Sequence, residues 1–302
     1  MQLRFLLSIA VLLSINLKSN GSIILDSLSQ ANQEQKRKID SLISTLEKYK
    51  DETALYAGEI NGIKTIYDSY RSTESNPAVE SDLLLKIETA NKNYPLLQQQ
   101  TKDIDELYSQ LQKDYQVKYP LIFNTDIKNA ETDILNWKKI TTSTERVKKA
   151  DPILSKFKIW QTNLPKLVSN DSLLDKNYTE LDKKFKEIYP NIYKTEIKPV
   201  SIEVTTLKTL NTIDLRLKKG TELVSKLNNL ENSFADFKKT DAQLEKSFPL
   251  LETNYKTNYL PIYTNEIYPL NGKILEYNNE SSIAKKIETG KKVSDQIQNL
   301  LD

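Results

Sequence analysis

Histidine and cysteine are absent from this chain of 302 residues, and methionine occurs only once, at the first position. Without histidine, no unperturbed side chain titrates near neutral pH and there is no imidazole to bind a metal. Without cysteine there is no thiolate nucleophile, no disulfide and no sulfur ligand for zinc. The sequence therefore excludes serine-histidine-aspartate and cysteine-histidine catalysis, zinc proteases and dithiol redox chemistry.

Glycine is also scarce, at 6 positions, and no segment alternates polar and apolar residues long enough to predict a strand. Sandwiches and barrels need many turn residues, so the composition argues against them. Glycine-rich phosphate loops and calcium-loop spacings are missing too, and we expect no cofactor and no metal site. The hydrophobic fraction of 38% is low for one large core but suits small helical bundles.

Residues 1–21 have the features of a secretory signal peptide. Arg4 is positively charged, Phe5–Ile15 are mostly apolar but too few to span a bilayer comfortably, and Ser19-Asn20-Gly21 offers small residues for cleavage. Cleavage after Gly21 removes two basic residues, so 43 basic residues become 41, against 41 acidic ones. The prediction is a secreted, extracellular chain with no membrane span after signal removal. Its formal neutrality argues against nucleic acid as a partner.

Three asparagines of the predicted mature chain carry the N-glycosylation signature: Asn170, Asn177 and Asn279. In a secreted eukaryotic protein these would be surface positions that carry glycans. The same triplets arise by chance in a chain rich in asparagine. Both interpretations stay open.

The strongest pattern is internal repetition at a constant offset of about 70 residues. Three segments align without a gap, and we call them the second, third and fourth Tyr-Pro blocks: Tyr119–Ile127, Tyr189–Ile197 and Tyr259–Ile267. The match extends outside the blocks, for example through Leu111, Leu181 and Leu251. So many coincident apolar positions are not expected by chance.

A fainter first block, Leu55–Ile60, resembles the second block at a slightly shorter offset. Terminal repeats usually diverge because one face lacks a neighbour. The sequence therefore predicts a signal peptide at 1–21 and four repeats: a divergent one at 22–94, and three others at 95–164, 165–234 and 235–302.

Apolar residues within each repeat follow helical spacing, and the residues between them are charged. Breaks are expected at the blocks, near residues 141–144 and 278–282, and at Pro95 and Pro165. The prediction is an all-α tandem repeat of about 70 residues, each a three-helix bundle, in a spectrin-like or coiled-coil-like array. The apolar rhythm also suggests that the last helix of one repeat continues into the next. Whether a block is helix or connector stays open.

Recurrent aromatic residues of the blocks are the first candidates for an interaction site: Tyr119, Phe123, Tyr189, Tyr193, Tyr259 and Tyr263. Because they lie on the apolar stripe, a core ladder is the favoured interpretation and an exposed aromatic surface the alternative. Recurrent acids at Asp126, Glu196 and Glu266 are expected to cap helices. Recurrent bases at Arg146, Arg216 and Lys286 are expected to lie in solvent or in surface salt bridges.

Nothing chemical recurs in the repeats, so we expect no enzyme and no catalytic residue. The favoured hypothesis is a secreted helical scaffold that binds a protein or another extracellular macromolecule. The alternative is an extracellular carrier that holds an apolar small ligand or lipid between its helices, because stripe residues can line a cavity as well as fill a core.

Overall fold

The computed structural model describes residues 21–72 and 76–301, with side chains described for 30–72, 76 and 78–301. The predicted signal peptide lies outside the described residues except for Gly21, which is the first residue of the first described helix. Within the described ranges every regular element is helical and there is no strand. The predicted all-α class is confirmed.

Nine α-helices, numbered here in chain order, make up most of the described chain. Their bounds are α1 Gly21–Glu47, α2 Ala54–Ser72, α3 Pro77–Lys118, α4 Lys128–Lys138, α5 Ser143–Ile188, α6 Val200–Lys208, α7 Ile213–Asn258, α8 Leu270–Asn279 and α9 Ile283–Leu301.

Each Tyr-Pro block breaks the helix at one residue and restarts it at once. Tyr119, Tyr189 and Tyr259 have φ of −139°, −127° and −142°, with ψ of 65°, 63° and 60°, outside the helical region. A three-residue helical turn and a π-helical turn follow, the latter at Phe123–Ile127, Tyr193–Ile197 and Tyr263–Ile267. Proline suits this position because the first turn of a helix leaves its N–H groups unpaired. The block is therefore a helix start.

The breaks expected at Pro95 and Pro165 are wrong, because α3 and α5 run through these prolines. Proline removes one helical hydrogen bond, and the carbonyl four residues earlier loses its donor. Both prolines are exposed, so water on that side of the helix can satisfy the carbonyl. As a result α3, α5 and α7 continue across the predicted boundaries at 94/95, 164/165 and 234/235.

Contacts divide the chain into two compact units, the first holding residues up to Leu107 with Thr132–Lys156, and the second holding Tyr108–Glu131 with residues from Phe157 onward. The core of the first unit includes Ile39, Ile60, Leu83, Ile87 and Tyr94. The second unit contains two clusters whose members correspond at the repeat offset. Corresponding pairs are Leu181 and Leu251, Ile197 and Ile267, Val200 and Leu270, and Leu227 and Ile297.

Polar contacts recur at the same offset. Lys156 pairs with Asp133 at 3.0 Å, and Lys226 pairs with Glu203 at 2.5 Å. At the equivalent positions one repeat further on, the lysine stands where the other two contacts have an acid. Lys273 donates there to the amide oxygen of Gln296 at 2.8 Å. Each contact joins positions 23 residues apart. The same two helix faces therefore meet in each case, although the charges that join them differ.

Gly290 marks a close approach between helices. A Cβ atom at this position would lie 2.7 Å from Cε2 of Tyr277, which is buried and cannot move aside. Gly220, its counterpart one repeat earlier, is tight only against the side chain of Asn170, at 3.1 Å from Nδ2. The next counterpart is an alanine, Ala150, which is fully buried. Glycine is therefore required at position 290 mainly by the Tyr277 ring, with Cγ2 of Thr240 also close at 3.1 Å.

We expect Gly290→Ala to lower the free energy of unfolding by about 1–3 kcal/mol, because it overpacks a buried ring. Gly220→Ala is the matched control. It should leave stability unchanged or raise it by up to about 1 kcal/mol, because alanine is the better helix former and the Asn170 amide can shift. Urea unfolding of both variants measures the difference. Equal losses would contradict the assignment.

Candidate functional site at the Tyr-Pro blocks

The blocks place their aromatic residues in two different environments. Tyr119 and Tyr189 are buried, with 5% and 7% of their surface exposed, whereas Tyr259 is 58% exposed. Phe123, Tyr193 and Tyr263 are half-buried. The start of the second and third blocks therefore fits the interpretation as a core ladder of aromatic residues. The start of the fourth block fits the alternative of an exposed aromatic surface.

The recurrent acids cap helices, but not the helices in which they lie. The backbone N–H of Ile283, the first residue of α9, donates to Glu196 Oε1 at 2.7 Å. The N–H of Ile213, the first residue of α7, donates to Asp126 Oδ2 at the same distance. Both pairs are 87 residues apart. A negative side chain stabilises the positive end of a helix, so the second and third blocks each hold the start of a helix that lies 87 residues further along the chain.

The first block follows the same rule. The N–H of Ser143, which begins α5, donates to Glu59 Oε1 at 2.6 Å. Glu59 occupies the place in the first block that Asp126 occupies in the second. This contact lies within the first unit, and those of Asp126 and Glu196 lie within the second. The described counterpart in the fourth block, Glu266, is exposed and has no such donor.

Arg216 and Lys286 are buried, with 8% and 1% of their surface exposed, so the expectation that they lie in solvent is wrong. Each is the fourth residue of its helix and points at the preceding block. The Arg216 guanidinium carbon lies 4.8 Å from the centre of the Tyr119 ring. The guanidinium also donates to Asp171 Oδ2 at 2.8 Å and to the carbonyl of Lys208 at 3.1 Å.

Three aromatic rings and a carbonyl surround Lys286. Its Nζ lies 3.7 Å from the ring centre of Tyr277, 5.1 Å from that of Tyr189 and 5.8 Å from that of Phe237. It donates to the carbonyl oxygen of Tyr277 at 2.8 Å. Burial lowers the pKa of Lys286, and the negative charge of Asp241 acts in the opposite direction. A desolvated cation over aromatic faces gains about 2 kcal/mol from each good contact.

Asp241 completes this arrangement. It accepts hydrogen bonds from the hydroxyls of Tyr189 at 2.6 Å and Tyr277 at 2.7 Å. Burial raises the pKa of both tyrosines, and the hydrogen bond to Asp241 raises it further. The described polar contacts of Lys286 and of these hydroxyls are made within the protein. The arrangement therefore joins α7, α8 and α9 to the third block.

In the first unit the corresponding base is Arg146, the fourth residue of α5. It is half-buried, and its guanidinium carbon lies 4.9 Å from the centre of the Trp137 ring. The Trp137 indole N–H donates to the backbone carbonyl of Arg146 at 2.7 Å. Tyr56, in the first block, is buried, and this burial raises its pKa to about 12. A base beside an aromatic ring therefore recurs in the first unit, but the ring belongs to Trp137 and not to a residue of the preceding block.

The targets of the caps were missed by the sequence reasoning. The spacing of 87 residues exceeds one repeat, and local capping patterns extend over only a few residues. The sequence does contain one signal for these contacts. An acid recurs in each block and a base recurs at the fourth position of a later helix, and from the second block onward the number of residues between the acid and the base is constant. This constant separation could have been used to assign each acid to its helix.

The predicted glycosylation positions differ in exposure. Asn170 and Asn177 are half-buried in α5, and their side-chain amides donate to Thr221 at 3.2 Å and to Asn228 at 3.4 Å. Asn279 ends α8 and is exposed. Glycosylation stays a prediction, and Asn279 is the most accessible of the three positions.

Among the described residues, no group of three or more Asp and Glu side chains could hold a metal ion. The helices of the described part of the chain include none that is apolar enough over a sufficient length to cross a membrane. Comparisons with protein-family models, with curated proteins and with solved structures each returned no match.

Removal of a cap should weaken the protein only where the cap has a partner. We expect Glu196→Ala to lower the free energy of unfolding by about 1–2 kcal/mol, because the N–H of Ile283 and the start of α9 lose their acceptor. Glu266→Ala is the matched control, for which we expect a change below about 0.5 kcal/mol. Urea unfolding measures both. Similar losses in the two variants would contradict the role of the cap.

Stability should fall at alkaline pH. Burial is the main cause of a raised pKa in six tyrosines: Tyr56, Tyr94, Tyr115, Tyr119, Tyr189 and Tyr277. The unfolded chain releases these protons near pH 10, before the folded chain does, so the stability is present below about pH 10 and is lost above it. The lowered pKa of Lys286 acts in the opposite direction.

The urea midpoint, followed from about pH 8 to about pH 11, checks this sign. We expect little change up to about pH 9.5 and a steep fall beyond it. A midpoint that stays constant or rises across the whole range would contradict the burial of the six hydroxyls.

Proposed function

We propose that this chain is a secreted helical scaffold, built from repeated modules that each contain three helices and bind other macromolecules along their surface. The observation that carries the proposal is the repeated joint: an acid and an aromatic residue of one block hold the start and the fourth residue of a helix in the next repeat. The recurrent polar groups are thereby used in holding one repeat to its neighbour. Extended repeat proteins with such joints present large binding surfaces.

The helix order supports the module. In the third repeat, the later part of α5, then α6, and then the early part of α7 contribute to one core cluster. In the fourth repeat, the later part of α7, then α8 and α9 contribute to the corresponding cluster. The helix α7 thus serves two neighbouring clusters, an arrangement similar to that of spectrin-type arrays. Such a shared helix gives a second connection between modules besides the joint.

Packing of the stripe residues favours a scaffold over a carrier of apolar ligands. Tyr115, Phe185 and Phe237 are almost fully buried, and the Tyr115 hydroxyl donates to the carbonyl of Trp160 at 2.8 Å. One surface groove between α6 and α7 is bordered by the ion pair of Glu203 with Lys226. The same groove is also lined by Ile202, Leu207, Leu210 and Leu223, so the case for the scaffold rests on the filled core and not on this groove.

Secretion is the part of the proposal that rests on residues 1–21 alone, which lie outside the described residues except for Gly21. The N-terminal residue of the chain recovered outside the cell checks it, and we expect Ser22. The partners proposed are extracellular proteins or other macromolecules. Neither nucleic acid nor a metal cofactor is part of the proposal.

Removal of one whole repeat tests the modular arrangement. Deletion of residues 165–234 joins Leu164 to Ala235 inside one continuous helix without a change of phase. After the deletion, Ile283 takes the place of Ile213 beside Asp126. Asp241 and Lys286 take the places of Asp171 and Arg216 beside Tyr119. We expect a soluble, cooperatively unfolding protein with helical circular dichroism per residue equal to that of the full chain. Modules with a common joint predict this result because each of them contains its own core.

A deletion two residues longer, residues 165–236, is the matched control. It rotates the following helix by about 200°, since each residue of an α-helix turns about 100°. The apolar stripe would then face away from its core, and we expect aggregation or loss of cooperativity. If both deletions unfold, or if both fold equally well, the modular proposal is wrong.

A further inference from the structure

The fourth Tyr-Pro block has an uncovered face. Tyr259 is 58% exposed and Ile262 38% exposed. Their counterparts in the third block, Tyr189 and Ile192, are 7% and 1% exposed, and those in the second block are similarly buried. The backbone of the three blocks follows the same path. The difference is therefore what covers the block.

The border of this face is more apolar than at the other blocks. Leu260 and Tyr268 are 60% and 61% exposed. The residue directly after the block is Tyr268 for the fourth block, Lys128 for the second and Lys198 for the third. Here an aromatic residue stands in place of lysine, and contiguous exposed apolar residues indicate an interaction surface.

The covered blocks show what fits this face. Glu196 accepts a hydrogen bond from the backbone N–H of the first residue of α9, and Asp126 accepts one from the backbone N–H of the first residue of α7. The fourth residue of the same helix, Lys286 or Arg216, lies over the tyrosine that begins the block. A carboxylate on a neighbouring helix accepts from the Tyr189 hydroxyl. The fourth block offers the same groups in Glu266, Tyr259 and Ile262.

Within residues 30–72 and 76–301, a second copy of this chain does not offer the matching element. The N–H groups of Ser143, Ile213 and Ile283 are already bonded to acids of their own chain. The remaining equivalent helix, α3, begins with Pro77, which has no N–H to donate. Its fourth residue is Glu80, which would bring a carboxylate rather than a cation toward Tyr259 and Glu266.

We propose that the face formed by Tyr259, Ile262 and Glu266, bordered by Leu260 and Tyr268, docks a helical partner protein. The partner presents a helix start whose first backbone N–H reaches Glu266 and whose fourth residue is arginine or lysine placed over Tyr259. A carboxylate of the partner accepts from the Tyr259 hydroxyl. This inference rests on the proposed scaffold function and names one binding surface and the class of partner.

A chain extended by one repeat tests whether the face accepts such an element. Residues 233–302 are duplicated after Asp302, which keeps the repeat offset unchanged. The appended copies of Ile283, Lys286 and Asp241 then stand where the partner's groups would stand. Nitration by tetranitromethane, mapped by mass spectrometry, reports the exposure of Tyr259. Tyr268 is the internal control, because its counterpart Lys198 is exposed although the third block is covered.

We expect Tyr259 to be nitrated in the unextended chain and protected in the extended one, while Tyr268 reacts in both. Glu266→Gln should lower the Tm of the extended chain by about 2–4 °C and leave that of the unextended chain unchanged, because the carboxylate becomes a cap only after extension. Equal nitration of Tyr259 in the two chains, or an equal response to Glu266→Gln, would overturn the proposal. The deletion of residues 165–234 tests the scaffold separately, since that variant retains the uncovered face.

The source of the partner is tested in the unextended chain. A photo-crosslinking residue replaces Tyr259, and the full chain is irradiated in extracellular fluid from its source, with and without Glu266→Lys. We expect a crosslink to a peptide at a helix start with a basic fourth residue, and loss of that crosslink in the Glu266→Lys variant. No crosslink, a crosslink to a second copy of this chain, or one to a peptide without a basic residue would overturn the choice of partner.

Discussion

Burial of a positive charge is the constraint on which the packing at the blocks depends. Lys286 is 1% exposed, and an ammonium group removed from water without compensation would be very unfavourable. The compensation comes from parts of the chain that are far apart in sequence: the Tyr277 carbonyl, the Tyr189 and Tyr277 rings, and Asp241. The start of α9 therefore has one favourable position, where all these groups are within reach.

This constraint also fixes how α7 and α9 pack against the second and third blocks within the second unit. Apolar packing alone tolerates small shifts of one helix along another, because dispersion is not directional. Hydrogen bonds to a carboxylate, and a cation above a ring, are directional and fix the register. The acid of the preceding block adds a further fixed point at the helix start, through Glu196 for α9 and Asp126 for α7. The shared helix α7 and the contacts at the blocks therefore both fix how these helices pack against each other.

The helical class, the repeat offset and the helix breaks at the blocks could all be read from the sequence, because apolar spacing and repetition are visible along one chain. The apolar rhythm also indicated that the last helix of one repeat continues into the next, as α3, α5 and α7 do. The conflicting breaks expected at Pro95 and Pro165 were wrong, because the effect of a proline depends on which side of the helix faces water. The burial of Arg216 and Lys286 escaped for a related reason. Whether a base is buried depends on partners that only tertiary structure brings to it.

The two joints of the second unit compensate their cations in different ways, and the difference follows from side-chain chemistry. Arginine has five donors in a planar fork, so Arg216 reaches both Asp171 and the Lys208 carbonyl directly. Lysine is a compact charge, and Lys286 bonds only to the Tyr277 carbonyl. Tyr277, which stands where the preceding repeat has Leu207, supplies a hydroxyl that bonds to Asp241. The loss of donors on exchanging arginine for lysine is thus offset by the gain of a tyrosine. What the two joints share is therefore a position for a compensated cation, which lies over the tyrosine that begins the preceding block: Arg216 over Tyr119 and Lys286 over Tyr189.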